Sequence, residues 1–336
     1  MTEPKVVNIT RHIYEEQRKY PLATGGFSGL LSDLMLACKM ISREVNKAGL
    51  IDILGKTGEV NVQGEEVAKL DTYAHNRIHQ AMDHGGHLCV MASEEVADPI
   101  PIPKEFSKGR YVLLFDPLDG SSNIDSNVGI GTIFSIHRKV SDAGPDGTMQ
   151  DLLQTGTRQV CAGYVFYGAS TVFVYTTGQG TAAFTLDPSV GEFLLSSPHI
   201  QIPRRGRIYS VNEGNAASWD DATKRYIEHI KQFDPETNRP YTLRYVGSLV
   251  ADIHRTLLYG GIFLYPPDRK SPKGKLRLLY EAAPMAFLVE QAGGFASNGT
   301  RRIMEVEPSE LHQRTPLIIG SPDDVRDYEA YALGRR

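Results

Sequence analysis

Tyr111-Val112-Leu113-Leu114-Phe115-Asp116-Pro117-Leu118-Asp119-Gly120-Ser121-Ser122-Asn123 is the stretch whose reading decides the fold. Its first five residues are an unbroken apolar run, the pattern of a buried strand. Two carboxylates three residues apart therefore stand at the C-terminal end of a core strand. Pro117 stiffens the backbone between them, and Gly120 frees the chain to turn. Carboxylate oxygens with a backbone carbonyl suit a hard cation such as Mg²⁺. Gly120-Ser121-Ser122 supplies the amides and hydroxyls that a phosphoryl group needs. An ordinary Asp-rich, Pro/Gly turn would account for Asp116–Asp119 alone about equally well. The full octet from Asp116 to Asn123 is more specific.

The 336 residues, 41% hydrophobic and 23% charged, carry enough apolar content for one large or two medium domains. A net charge of −4 argues against nucleic acid as the main partner. No stretch reaches the roughly 18 apolar residues of a membrane span. Met1–Tyr20 is polar, without the apolar core of a secretion signal. Cys38, Cys89 and Cys161 are scattered through apolar surroundings and read as reduced core residues, so a cytoplasmic protein is expected.

Leu30, Leu34, Cys38, Ile41, Val45 and Ala48 recur at spacings of three and four, which predicts a helix over 27–48 with Gly49 as its cap. The turn before it, Ala23-Thr24-Gly25-Gly26-Phe27-Ser28, reads locally as a plain helix cap, although such a turn can also bind an anion. Residues 49–69 are polar and Gly-bearing, and predict a long mobile loop. A helix carrying His75 and His79 follows; no Glu follows the first His as in a zinc-protease motif, so both read as surface or packing residues. His87–Met91 reads as a strand ending near Ser93-Glu94-Glu95, Val128–Lys139 as another, and 140–156 as a surface loop. Short β-rich runs between Gln159 and Leu195 indicate an antiparallel meander. Beyond a boundary near Ser196–Gly206, strands (Arg207–Val211, Gly261–Tyr265) alternate with helices (Ala217–Gln232, Leu249–Tyr259, Leu276–Ala292), the pattern of an α/β domain. The basic run Lys270–Arg277 lacks interleaved aromatics, and suits a small phosphate better than a nucleic acid. There is no internal repeat.

The octet resembles the metal-dependent sugar and inositol phosphatases, and the rest of the chain narrows that resemblance to class I fructose-1,6-bisphosphatases. Inositol monophosphatases share Asp-Pro-Leu-Asp-Gly, but usually carry Trp-Asp before a second helix. Here Tyr280-Glu281 is followed by Ala282-Ala283-Pro284, and Asn212-Glu213-Gly214 and Lys270–Leu276 also fit the bisphosphatases. The resemblance runs from about Ile9 to Asp327. It implies an α/β fold, α+β in its N-terminal half, of two tightly packed, layered sheet-and-helix domains. Residues 1–200 would carry a regulatory site and most metal ligands, and residues 201–336 the sugar-phosphate site.

The same resemblance implies hydrolysis of the 1-phosphate of fructose 1,6-bisphosphate by in-line attack of water, with two or more Mg²⁺ (or Mn²⁺ as substitute). Glu94, Asp116, Asp119, Glu281 and the Leu118 carbonyl match metal-ligand positions. Asp71 and Glu95 match residues that orient and deprotonate the water, and Glu65 replaces an aspartate of that group. Gly120, Ser121 and Ser122 would hold the reacting phosphate. Asn212, Arg244, Tyr245, Tyr265 and Lys275 match the 6-phosphate and sugar pocket, with departures at Asn215 and Leu249; the resemblance implies that Arg244 reaches a neighbouring subunit's site, which would make the dimer functionally necessary. Thr24, Gly25, Gly26, Phe27, Ser28, Arg110, Tyr111 and Arg138 match a site for the inhibitor AMP; Gly26 stands where other members carry an acidic residue, and Arg110 replaces a lysine. The 140–156 loop lacks the cysteines of chloroplast relatives, which argues against thioredoxin-type control. A homotetramer is expected from the family. The rival readings are an inositol or other sugar phosphatase, and a catalytically silent regulator binding nucleotide or sugar phosphate.

Overall fold

The structure, a computed structural model, describes residues 6–18, 25–47, 56–60, 66–237 and 239–336. The first half runs α1 (Ile9–Gln17), α2 (Gly26–Val45), β1 (Lys56–Val60), β2 (Glu66–Ala68), α3 (Lys69–Met82), β3 (Leu88–Ser93), β4 (Ile100–Pro101), β5 (Tyr111–Asp119), β6 (Ile130–Arg138), α4 (Met149–Leu152), β7 (Gln159–Tyr167), β8 (Thr171–Thr176), β9 (Thr181–Asp187) and β10 (Glu192–Ile200). Eight of these strands form one sheet in the order β10-β9-β8-β7-β6-β5-β3-β4. Its ladders are antiparallel except for β3 and β5, which run parallel with Ser93 opposite Phe115.

The second half runs β11 (Ile208–Ser210), α5 (Asp221–Lys231), β12 (Thr242–Leu243), α6 (Leu249–Tyr259), β13 (Ile262–Tyr265), β14 (Leu276–Arg277), α7 (Ala283–Gln291), β15 (Phe295–Ser297), β16 (Arg314–Thr315), β17 (Leu317–Gly320) and α8 (Pro322–Ala332). A five-stranded sheet forms in the order β12-β11-β13-β17-β15.

Burial sorts the layers. On one face of the large sheet, Leu113, Phe115, Phe134, Val165 and Phe173 pack with Leu30, Leu34, Cys38 and Ile41 of α2 and with Ala74 and Ile78 of α3. On the other face, Ile133, Tyr164 and Val174 meet Val250, Ile253 and Leu257 of α6 and Met285–Val289 of α7. Phe263, Leu317 and Ile319 of the smaller sheet join that same cluster from beyond the helices. Ile262, Leu264 and Ile318 face outward onto Tyr226, Ile227 and Ile230 of α5 and Val325 and Tyr328 of α8. The result is a helix–sheet–helix–sheet–helix sandwich. Strands with both faces covered read as continuous apolar runs, which is why Tyr111–Phe115 and Ile262–Leu264 show no alternation.

Several elements differ from the sequence reading. The span 276–292 is not one helix. Leu276 and Arg277 pair antiparallel with Thr315 and Arg314, and Leu278–Ala282 form a turn of π-helix. The α-helix starts only at Ala283, with Pro284 in its first turn, where its missing N–H costs nothing. Helix α5 starts four residues later than expected, because the Asp220 side chain accepts from Thr223 N–H and caps it there. Helix α1, not foreseen, is capped by Asn8 and buries Ile9 and Ile13 beside the large sheet. Within the expected 49–69 loop, the described residues include the β1–β2 hairpin. Cys38, Cys89 and Cys161 are buried and unbridged, and His75 stacks on Phe115 at 5.8 Å.

The 140–156 segment is held by one carboxylate. Asp151, fully buried, accepts from Val140 N–H (2.7 Å), Ser141 N–H (2.8 Å) and Oγ (2.7 Å), and Thr148 N–H (2.8 Å) and Oγ1 (3.0 Å). Burial alone would raise its pKa; the hydrogen bonds from Ser141, Thr148 and Val140 outweigh burial and hold it well below the usual carboxylate range. A folded pKa below the unfolded one means stability present above about pH 4 and lost as pH falls through the folded value. Asp151→Asn should therefore cost about 2 kcal/mol at pH 7. In urea unfolding the gap from wild type should narrow as pH drops below about 4.

Candidate active site

Parallel pairing of β3 and β5 brings two carboxylates side by side. The ladder continues one step past β3, where Glu94 N–H donates to the Phe115 carbonyl at 3.1 Å, so Glu94 lies next to Asp116. Glu281 arrives on the π-helical turn, a distortion often found at functional sites. Carboxylate oxygens of Glu94, Asp116 and Glu281 all lie within 4.8 Å of one another, and all three residues are buried. The Arg277 guanidinium stands 3.0 Å from Glu94 Oε1 and 3.8 Å from Glu281 Oε2, while Arg277 N–H donates to Glu281 Oε2 at 2.5 Å.

Three carboxylates against one guanidinium leave a negative surplus in a low-dielectric site. Burial first, then the Glu281 carboxylate, hold Glu94 well above the ordinary carboxylate range. Burial and then Glu94 do the same to Asp116. Glu94 Oε2 is buried without a hydrogen-bond partner. An orphaned carboxylate oxygen in an oxygen-rich, over-negative cluster fits a hard divalent cation. Glu94, Asp116 and Glu281 are the residues that could hold it.

A bulge shapes the strand end. Asp116 pairs with Ile133 and Asp119 with Gly131, so Pro117 and Leu118 together face the single residue Thr132. Pro117, which has no N–H to offer, loses nothing at such a point. Thr132 Oγ1 donates to the Pro117 carbonyl at 2.8 Å and lies 2.9 Å from the Tyr167 hydroxyl. Leu118 N–H donates to Asp116 Oδ1 at 2.9 Å, orienting that carboxylate. Gly120 has φ +76°, and a Cβ there would come 2.7 Å from Ser248 Cβ, so only glycine fits.

Asp119 stands outside the three-carboxylate group. It accepts from Ser248 Oγ (2.9 Å), Leu249 N–H (3.2 Å) and Val250 N–H (2.8 Å) at the N-terminus of α6, where a carboxylate also offsets the helix dipole. Burial against these bonds pushes its pKa up to about 6. Asp71, buried in the first turn of α3, and half-buried Glu95 also lie outside that group. Glu95 N–H donates to Ser93 Oγ, itself 2.9 Å from His75 Nδ1, which ties the end of β3 to α3. Glu65 and Thr24 lie outside the described residues. Ser121 and Ser122 open a 3₁₀ turn directly after Gly120.

The sugar-pocket residues gather at the other sheet. Asn212 follows β11, and Tyr265 ends the parallel β13, so both leave C-terminal strand ends, where α/β sheets bind ligands. Burial pushes the Tyr245 and Tyr265 phenols up, and Lys275 Nζ lies 5.8 Å from the centre of the Tyr265 ring. Arg244 is exposed, its backbone N–H donating to Tyr209. At the proposed nucleotide turn, Gly25 (φ +79°) precedes α2, the Phe27 and Tyr111 rings are 5.9 Å apart, and Arg138 lies 5.8 Å over Tyr111. Ser28 Oγ is buried there without a partner, and Arg110 adjoins Tyr111.

The sequence reading missed two participants. Arg277 was placed only in a phosphate-binding run, although a lone Arg between Leu276 and Leu278-Leu279 is a signal of a buried cation. The backbone amides at the start of α6 leave no side-chain signal at all.

A large mixed sheet and a smaller one, layered with helices, enclose a buried carboxylate cluster that could hold a metal ion. The chain belongs to the fructose-1,6-bisphosphatase family. The family description "Fructose-1-6-bisphosphatase, N-terminal domain" matches residues 7–198, and "Fructose-1-6-bisphosphatase, C-terminal domain" matches residues 202–333. A protein of Chloroherpeton thalassium named "Fructose-1,6-bisphosphatase class 1" is 57% identical over 331 residues, covering 98% of this chain and 95% of that one. A protein of the same name from Maridesulfovibrio salexigens is 57% identical over 322 residues, covering 95% of each chain. The crystal structure of Leishmania major fructose-1,6-bisphosphatase in holo form superposes with a TM-score of 0.91 at 43% identity, covering 98% of this chain and 99% of that one.

If like-charge repulsion is the dominant strain, Asp116→Asn should stabilise the metal-free protein, raising Tm by about 2–4 °C. Wild type should gain Tm on adding millimolar Mg²⁺, and the variant should lose most of that gain. Thermal unfolding with and without the cation reads both effects.

Proposed function

We infer that the chain hydrolyses the 1-phosphate of fructose 1,6-bisphosphate, releasing fructose 6-phosphate and phosphate. The observation that carries this reading is the buried Glu94–Asp116–Glu281 cluster with its orphaned oxygen, in a chain sharing more than half its residues with proteins named for that activity. Glu94, Asp116 and Glu281, with Asp119 and the Leu118 carbonyl at its edge, hold Mg²⁺, or Mn²⁺ in its place. Bound, such a cation neutralises phosphoryl charge and lowers the pKa of water. Asp71, Glu95 and Glu65 orient the attacking water and take its proton. Gly120, Ser121 and Ser122 bind the reacting phosphate through hydroxyls and amides. Asn212, Arg244, Tyr245, Tyr265 and Lys275 bind the 6-phosphate and sugar, which aligns the 1-phosphate for in-line attack.

The same reading divides the chain at about residue 200, where the large sheet ends at Ile200 and the smaller one begins at Ile208. It makes AMP an inhibitor bound at Gly25–Ser28, Arg110, Tyr111 and Arg138; the unpartnered Ser28 hydroxyl at a helix N-terminus supports this. It places the enzyme in the cytoplasm as a homotetramer. Among the described residues no helix is long and apolar enough to cross a membrane.

The test is phosphate release with Mg²⁺ from fructose 1,6-bisphosphate beside inositol 1-phosphate. Strong preference for the bisphosphate is expected; preference for the inositol ester would overturn the substrate assignment. Glu281→Gln should lower kcat by at least about a hundredfold. AMP should inhibit wild type, and Arg138→Ala should raise the inhibitory concentration about tenfold or more. Inhibition that Arg138→Ala leaves unchanged would remove this site from regulation.

A further inference from the structure

Two hydroxyls, those of Thr132 and Tyr167, stand on the apolar face of the large sheet that packs against α2 and α3. Thr132 is fully buried on β6, in step with Ile130 and Phe134 of that face. Tyr167 ends β7 opposite Ile130, which sets its ring diagonal to Thr132, and it is 3% exposed. A hydroxyl in such surroundings is costly unless it is bonded. Both are bonded: Thr132 Oγ1 donates to the Pro117 carbonyl at 2.8 Å and lies 2.9 Å from the Tyr167 hydroxyl.

Counting protons fixes the direction of this chain. The Pro117 carbonyl can only accept, so it takes the single hydroxyl proton of Thr132. The Tyr167 hydroxyl must then donate to Thr132 Oγ1. Burial pushes the Tyr167 phenol up, which keeps that proton in place. The series continues through the backbone. The Pro117 carbonyl and the Leu118 N–H belong to one peptide plane, and that N–H donates to Asp116 Oδ1 at 2.9 Å. One peptide is therefore held at both ends, by Thr132 on one side and by the Asp116 carboxylate on the other. It is also the bulged peptide, where the regular ladder is interrupted and does not fix the backbone. Bonds in such a series polarise one another, which strengthens the last donor, at Asp116.

We propose that Thr132 and Tyr167 are positioning residues for the cation site: they fix the Pro117–Leu118 peptide, and with it the Asp116 carboxylate. Neither belongs to the carboxylate group itself. The proposal rests on the reading of Glu94, Asp116 and Glu281 as that site. Tyr167 acts only through Thr132, so its loss matters less, and not at all where the Thr132 hydroxyl is already gone.

The test is Mn²⁺ binding to the full chain without substrate, followed by the electron paramagnetic resonance of the free ion. Unfolding temperature without metal is measured beside it. Thr132→Val keeps the shape and removes the hydroxyl, and should weaken Mn²⁺ binding about tenfold. Thr132→Ser keeps the hydroxyl, and should stay within about twofold of wild type. Tyr167→Phe should weaken binding about threefold, and should add nothing on a Thr132→Val background. Variants that lose unfolding temperature yet bind Mn²⁺ as wild type does would leave the pair a structural role only, and overturn the proposal. Additive effects of the two substitutions would break the ordered chain, and overturn it too. If Thr132→Val fails to fold, Tyr167→Phe carries the comparison against Thr132→Ser, and no loss in Tyr167→Phe would overturn the proposal. Asp116→Asn tests the reading beneath. A wild type that binds no Mn²⁺, or an Asp116→Asn variant that binds it as wild type does, would overturn the cation site and this proposal with it. Binding that depends on Asp116 but not on Thr132 would overturn this proposal alone.

Discussion

The parallel pairing of β3 with β5 is the constraint on which the rest of the structure depends. Parallel strands end on the same edge of a sheet, so Glu94 and Asp116 emerge together. Antiparallel pairing would have put them at opposite edges. Two buried carboxylates at that spacing repel, and a third, Glu281, comes in from the second sheet-and-helix half. Arg277 offsets part of this charge from the same side. The cluster thus strains the metal-free fold and, for the same electrostatic reason, is a group that could hold a metal ion.

Helix α6 reconciles that strain with a packed interior. Its apolar side, Val250, Ile253 and Leu257, fills the space between the two sheets, each side chain contributing about 1.5–3 kcal/mol by burial. Its N-terminus meets Asp119, and its first turn carries Asp252. Close approach is what makes this work: a Cβ on Gly131 would come 2.6 Å from Val250, so the large sheet offers glycine where the helix lies nearest. Packing and site geometry are therefore not separable along this helix. A shift of α6 would move Asp119, the start of the helix and the Arg244–Gly247 backbone together.

Much of the fold was legible in residue patterns. The apolar run before Asp116, the meander from Gln159 to Leu195 and the helix over Leu249–Tyr259 were all read from periodicity and punctuation, and the strands and helix stand where expected. The failure at 276–292 is instructive. An apolar stretch with Glu281 and Pro284 suits a helix by composition, yet pairing with Arg314-Thr315 claims its first two residues for a strand. Propensity has no access to a partner nearly forty positions away. Helix α1 escaped notice for the opposite reason: its mean character is polar, and among its described side chains only Ile9 and Ile13 are buried against the core.

The sequence by itself determined the chemistry on offer: carboxylates at a strand end, a glycine and two serines after them, and a second set of cations and phenols far along the chain. It could do so because residue type and local spacing dictate what a segment can bind and how it turns. Tertiary structure alone decided which carboxylates share a site. It grouped Glu94, Asp116 and Glu281 and turned Asp119 toward a helix terminus. It also made Arg277 a counter-charge and Asp252 a backbone anchor. Those assignments depend on strand order, a one-residue bulge and the approach of a helix, and none of these is a property of any short stretch of chain.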